Sequence, residues 1–302
     1  MSSVFFSVLG IYLFIVVGFA AKMSFKEKID DKTITILNVY FLQVFLTFWG
    51  LLVKPVDISL FYASWVYLAI VLVVLVLSAV VAKKYFYEKK EYSIATVSAL
   101  IGNTGNLGIP LCIAIFGQES IPYTTIINLM NVFVVYTVGV FYYSRGNYDF
   151  KTSLINIIKL PIIWAALLAL LLSFGGYKPS ETILSTLMMG AYASMTMQLI
   201  LFGIYLYGTK IQELNKKLII WVMSIKFLII PISAFFILLP LDMAPMVKGI
   251  IFMELLMPLA IANVNLASLY DCSARVVTAL VFISSVLFLG VVFVGIWALK
   301  YF

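Results

Sequence analysis

No histidine occurs anywhere in the 302 residues. That excludes imidazole metal ligands, histidine proton relays and Ser-His catalysis. Only two cysteines are present, Cys112 and Cys272, both beside apolar runs. They make neither a disulfide framework nor a metal site. Charge is scarce too: 11% of residues are charged, 64% are hydrophobic, and mean hydropathy is +1.13. Such a chain is an integral membrane protein rather than a soluble domain. The opening MSSVFFSVLG lacks a positive start and a small-residue cleavage site. It reads as a retained first span, not a signal peptide. A net charge of +7 would suggest nucleic acid in a soluble protein. Here lysines of cytoplasmic loops explain it, and no nucleic-acid partner, metal or cofactor is expected.

What is present is a series of long apolar runs. Uncharged runs span 4–21, 33–53, 58–82, 92–118, 120–144, 160–177, 182–209 and 276–299. Two further runs carry one charge each: 218–241 holds Lys226 and 249–270 holds Glu254. Each is long enough to cross a bilayer, and ten spans leave no segment for a soluble domain. The loops alternate in charge. Lys22, Lys26, Lys28 and Lys32 follow span one; Lys83, Lys84, Lys89 and Lys90 follow span three. Arg145 and Lys151 follow span five, Lys210, Lys216 and Lys217 span seven, and Arg275 span nine. The other side has Lys54, Lys178, Lys248 and Lys300, with outer turns at Lys54-Pro55 and Gly175-Gly176. The positive-inside rule then predicts a multi-pass protein of the plasma (cytoplasmic) membrane with both termini outside.

Span four is poor helix at its centre. It reads Gly102-Asn103-Thr104-Gly105-Asn106-Leu107-Gly108-Ile109-Pro110. The glycines permit irregular backbone, and Pro110 has no N–H for the carbonyl of Asn106. Irregular backbone at membrane depth must be buried in protein or line a wet cavity. A shift of 148 residues lays Pro110 on Pro258 and Asn106 on Glu254, inside a second polar, proline-containing span. Halves with an odd number of spans each must be inverted. The expected fold is all-α integral membrane, ten transmembrane helices as an inverted 5+5 repeat, with crossed broken helices 4 and 9. The first repeat covers 1–148 (broken helix 92–118), and the second covers 149–302 (broken helix 249–270). Interrupted helices in both halves point to a transporter's binding site.

GNTGNLGIPL in span four and MPLAIANVNLASLY in span nine resemble the auxin efflux carrier family. That family includes plant PIN-type exporters and microbial organic-acid permeases. The resemblance implies a scaffold of spans 1, 2, 6 and 7 and a mobile bundle of the rest. It implies elevator-type alternating access, crossover prolines Pro110 and Pro258, and a homodimer through the scaffold. It also implies that Asn103 contacts a substrate carboxylate. Departures are Gln43, where relatives often have proline, the acid Glu254 one turn before the second crossing, and a short middle loop.

Asn103 and Asn106 share a helical face. They either bind substrate or satisfy carbonyls freed by the break. Thr104, Asn263, Asn265 and, from the scaffold side, Gln198 are further candidate ligands. Gly105 and Gly108 shape the crossover. Helix starts after each break favour an anion. Asn128 and Asn131 read as interhelical glue. Lys226 and Glu254 are either a direct ion pair, a cation-replacing lysine with its partner, or a lysine beside a proton-carrying acid. The function expected is secondary transport of small organic anions, with a small carboxylate and the lipid bilayer as partners. Alternatives are a sodium-coupled symporter of the bile-acid type and a membrane sensor of a small acid. A membrane enzyme is discounted for want of paired carboxylates or a metal cluster.

Overall fold

The computed structural model describes residues 2–53, 58–144, 151, 161–207 and 215–302. Lys54-Pro55, Arg145 and Lys210 lie outside the described residues. Among the described residues the protein is all helical, with no strand. Within the described residues, five helices are long and apolar enough to cross a membrane: Leu60–Tyr85, Gln118–Tyr143, Glu181–Leu206, Lys216–Leu238 and Ala274–Tyr301. Shorter apolar helices include Tyr40–Leu52, Thr104–Phe116 and Pro161–Phe174.

In chain order the helices are α1 (Ser2–Phe25), α2 (Asp31–Leu37), α3 (Gln43–Leu52), α4 (Ile58–Tyr85), α5 (Lys89–Val97), α6 (Ile109–Phe116), α7 (Ile121–Val134) and α8 (Val140–Tyr143). There follow α9 (Pro161–Phe174), α10 (Glu181–Leu206), α11 (Lys216–Ser224), α12 (Ile230–Leu238), α13 (Pro245–Leu256), α14 (Ala262–Leu269) and α15 (Ala274–Ala298). Wide π turns join α2 to α3 (Asn38–Leu42), α7 to α8 (Val135–Gly139) and α11 to α12 (Ile225–Ile229). A fourth, Thr104–Gly108, leads into α6. The turns at Thr104–Gly108 and Ile225–Ile229 each run into an Ile-Pro pair, Ile109-Pro110 and Ile230-Pro231. A proline removes the donor that would close the next regular turn, and a widened turn absorbs the mismatch.

Helix starts follow their caps. Glu88 accepts from the N–H groups of Lys90 and Glu91 at α5, and Asn215 accepts from Lys217 at α11. Each satisfies a first-turn donor that the helix cannot. Gly176, at φ 73°, closes α9 at the predicted turn, with the Tyr177 N–H bonded to the Leu172 carbonyl. Such a left-handed cap suits glycine.

Helix α4 shows why a bilayer is the solvent. Ala63, Tyr67, Ile70 and Val74 are buried on one face, while Trp65, Val73, Val76 and Val80 are exposed on the other. A helix apolar on both faces needs an apolar exterior. This is a multi-pass membrane protein. Helices α1, α3, α9 and α10 pack extensively on one another. Gly18 of α1 faces the Ile200 carbonyl of α10, and Gly203 of α10 faces that of Ile15. A Cβ at either glycine would overlap the opposite backbone, so glycine allows the close approach. At one end the loops tie together. Lys217 donates to the Tyr85 carbonyl, Asn215 to Glu91, and Lys90 lies 3.7 Å from Asp271.

Candidate functional site

The two broken helices meet backbone to backbone. After α5 a tight turn, Ser98–Leu100, leads to an extended Ile101. On the other side α13 ends at Leu256 and the chain straightens at Met257. Gly102 then pairs antiparallel with Leu259. The Asn103 N–H donates to the Pro258 carbonyl at 2.8 Å, and the Ala260 N–H donates to the Ile101 carbonyl at 2.9 Å. Each break thus supplies the other with hydrogen-bond partners that neither hydrocarbon nor its own helix offers. Pro258 sits inside its break. Pro110 does not: it lies in the first turn of α6, beyond the wide turn. What opens span four is the stretch Ser98–Asn103.

The glycines of span four share one role. Seen from an added Cβ, Gly102 meets Lys226 Nζ at 3.2 Å and Gly105 meets Asn128 Oδ1 at 2.7 Å, while Gly108 overlaps Glu254 Oε2. Three glycines, spaced by three, each seat a polar side chain from a different helix. That gives the Gly-x-x-Gly-x-x-Gly pattern a packing reason.

Amides fasten the crossing. Asn131 donates to the Gly102 carbonyl at 2.8 Å and to Thr104 Oγ1 at 3.0 Å, and accepts from the Tyr67 hydroxyl at 3.2 Å. Thr104 donates to Asn128 Oδ1 at 2.9 Å. Asn263 is wholly buried and spends its amide on structure. It donates to the carbonyls of Ser98, Ile101 and Ala260 and accepts from the Tyr143 hydroxyl. Asn263 therefore bridges the two breaks, and the cavity lining does not include it. Thr104 reaches the cavity wall with its hydroxyl already engaged on both sides.

A cavity of about 80 Å³ opens beside the pairing. Asn103, Thr104, Gly105 and Asn106 line it from the first break, and Ala260, Ile261, Ala262 and Asn265 from the second. Asn128, Asn131 and Tyr136 close one side; Gln43 and Gln198 face them from α3 and α10. No charged side chain is in that lining. Asn103 accepts from Asn106 at 3.2 Å, which fixes its amide's orientation. The helical segment Thr104–Phe116 starts at the wall, and α14 starts opposite. The first N–H groups of a helix have no acceptor within it and carry partial positive charge. Among the sequence candidates the cavity gathers Asn103, Thr104, Gly105, Asn106, Gln198 and Asn265. Gln43, Asn128, Asn131 and Tyr136 were not read as lining residues. The period-3 spacing of Asn128 and Asn131 was the available signal, since it put both on one face.

Lys226 and Glu254 lie behind the cavity, 1% and 0% exposed. Among the described residues no ion pair within 4.0 Å joins them, whereas Lys22–Asp31 and Lys90–Asp271 do pair at that distance. The expected direct contact is absent. Glu254 Oε1 instead lies 3.9 Å from the Cys112 thiol, and Oε2 has no hydrogen-bond partner. The Lys226 ammonium sits over Gly102, where the carbonyls of Glu254 and Met257 also converge. A helix C-terminus is a favourable place for a cation.

A bundle apolar to its outer faces, with amides lining a hollow at paired helix breaks, has the build of a membrane transporter. Comparison with known proteins agrees. Residues 3–296 match the family described as Membrane transport protein, and the chain belongs to that family, the one resembled through Gly102–Leu111 and Met257–Tyr270. It is similar to the uncharacterized transporter MJ1031 of Methanocaldococcus jannaschii, at 25% identity over 227 residues, covering 72% of each chain. The protein is a transporter, not an enzyme. It works in a lipid bilayer on a transported small substrate.

Proposed function

We propose that the protein is a secondary transporter of small carboxylates, bound at the cavity beside the paired breaks. The observation that carries this reading is the lining: amides and the start of the helical segment Thr104–Phe116 converge on a hollow with no side-chain charge. Helix starts and amide N–H groups favour an anion, and the small volume favours a small one. Asn103, Asn106, Asn265 and Gln198 are the proposed ligands; Gly105, Gly108 and Pro258 shape the crossover. Lys226 supplies positive charge at the crossing, in the place a sodium ion would otherwise fill, with Glu254 as its compensating acid. That favours the carboxylate reading over a sodium-coupled symporter.

The rest of the reading follows from the fold expected of the sequence. Residues 1–148 and 149–302 act as inverted five-helix repeats. Helices α1, α3, α9 and α10 form a scaffold, through which two copies associate. The remaining helices carry the site across the plasma membrane in an elevator movement. The gathered Lys90, Lys217 and Asp271 support one cytoplasmic end, with both termini on the other. A thermal-shift screen of mono- and dicarboxylates on the purified protein tests the substrate class. A ligand that binds the folded state raises Tm by mass action. Stabilisation by carboxylates, absent with the matching amides, is the expected result. No response to any acid, or an equal response to the amides, removes the reading.

A further inference from the structure

Gly102 is shared between two sites. Its backbone lines the cavity, and its Cα carries the Lys226 ammonium on the other side. A carboxylate in the cavity and the carboxyl of Glu254 therefore approach the same cation from different directions. Glu254 is turned away from it. Oε2 rests on Gly108 without a hydrogen-bond partner, and Oε1 faces the Cys112 thiol. The titratable groups around Glu254 are Cys112 on α6, Tyr67 on α4 and Lys226 in the wide turn after α11. The amides of Asn128 and Asn131 and the hydroxyl of Ser284 are engaged elsewhere, on Thr104, Gly102 and the Leu259 N–H. One cation and one acid thus share this depth without touching.

We propose that Lys226 is a shared counter-ion, held by the substrate carboxylate when the cavity is filled and by Glu254 when it is empty, so that each carboxylate travels with one proton on Glu254. This rests on the carboxylate reading above. An isolated buried charge is costly, so the crossing must be neutral in both forms that traverse the membrane. Filled, the charges are the Lys226 ammonium, the substrate carboxylate and a neutral Glu254 acid. Empty, they are the Lys226 ammonium and the Glu254 carboxylate. A proton from water forms the O–H bond at Glu254 as the substrate takes Lys226. On the far side the bond breaks, the proton returns to water, and Glu254 swings back to the ammonium. Because both forms are neutral, transport of a monocarboxylate responds to a pH gradient and not to voltage.

Two measurements on the full chain test this. Infrared difference spectra of substrate-free protein in nanodiscs are recorded across pH for wild type, Glu254→Gln, Glu254→Asp and Lys226→Met. A protonated-carboxyl band is expected that is lost as pH rises, shifts in frequency in Glu254→Asp, and is absent in Glu254→Gln. In Lys226→Met it persists to more alkaline pH. If Glu254→Gln does not fold, the frequency shift in Glu254→Asp still assigns the band. No band assignable to Glu254 at any pH, or a band indifferent to Lys226→Met, overturns the proposal. The second measurement is uptake of radiolabelled acetate, lactate, malate and succinate into proteoliposomes. Acid-gradient accumulation of a monocarboxylate, unaffected by voltage and lost in Glu254→Gln with exchange retained, is the expected result. Undiminished accumulation by Glu254→Gln overturns proton carriage. If no acid moves while the band behaves as expected, the carboxylate reading falls. The Glu254–Lys226 pair then stands as the proton site for another anion.

Discussion

Glu254 Oε2 lies against the Cα of Gly108, in the space where any other residue would place its Cβ. The two come from different broken helices, so this contact locks one break against the other.

Gly108→Ala should destabilise the protein by about 1–3 kcal/mol, the cost of overpacking a filled core. Glu254→Ser shortens the opposing side chain and should restore much of the loss. Thermal unfolding of the single and double variants checks this; strictly additive losses would show that Gly108 and Glu254 do not touch.

Asn263→Ala should lower stability and leave substrate affinity nearly intact in whatever protein folds. It takes a donor from the Ser98 carbonyl and an acceptor from the Tyr143 hydroxyl, while the carbonyls of Ile101 and Ala260 keep one backbone donor each. Buried groups left without partners cost about 1–3 kcal/mol. Tm and ligand Kd, measured side by side, separate this clamp from a ligand.

Asn103→Ala should do the reverse. Its backbone N–H keeps the bond to Pro258, while its amide is lost from the cavity wall. Carboxylate binding should weaken by about 1–3 kcal/mol, the scale of a hydrogen bond to a charged group. An unchanged Kd in a folded variant would remove Asn103 from the ligands.

Pro110→Ala and Pro258→Ala should part company. Pro110 lies inside the helical segment Thr104–Phe116, where alanine continues the helix. Pro258 lies in the extended link after α13. Alanine there lets the helix run on and draws a carbonyl away from Asn103. Transport close to wild type for the first and impaired for the second is the expected pattern in a proteoliposome flux assay. Equal effects would return Pro110 to the crossing.

Gly18→Leu and Gly203→Leu should each disrupt the α1–α10 contact, because the new side chain meets a backbone carbonyl that has no room to move. Tm in detergent is the measurement. A tolerant response at both sites would mean that the helices are not held this close.

Composition alone determined the membrane class. With 64% hydrophobic residues and 11% charge there is no soluble way to bury the chain. That two apolar runs would be interrupted was also legible, since Gly102–Pro110 and Glu254–Asn265 put polar and helix-breaking residues inside them, although the irregular backbone itself falls at 98–103 and 257–261. That holds because backbone satisfaction in hydrocarbon is a local requirement. The partners of the breaks were not legible. Asn263 and Asn265 are two residues apart in the same motif, yet one fastens carbonyls of the other half and one lines the cavity. Which way each points depends on where α14 begins after the extended link. Likewise Lys226 and Glu254 could be seen to need compensation, but not that Gly102 and Gly108 would hold them apart. Side-chain pairing across 24 to 165 residues of sequence is set by how helices pack. Only the folded chain decided which amide faces the hollow, which serves the backbone, and which charge has no neighbour in reach.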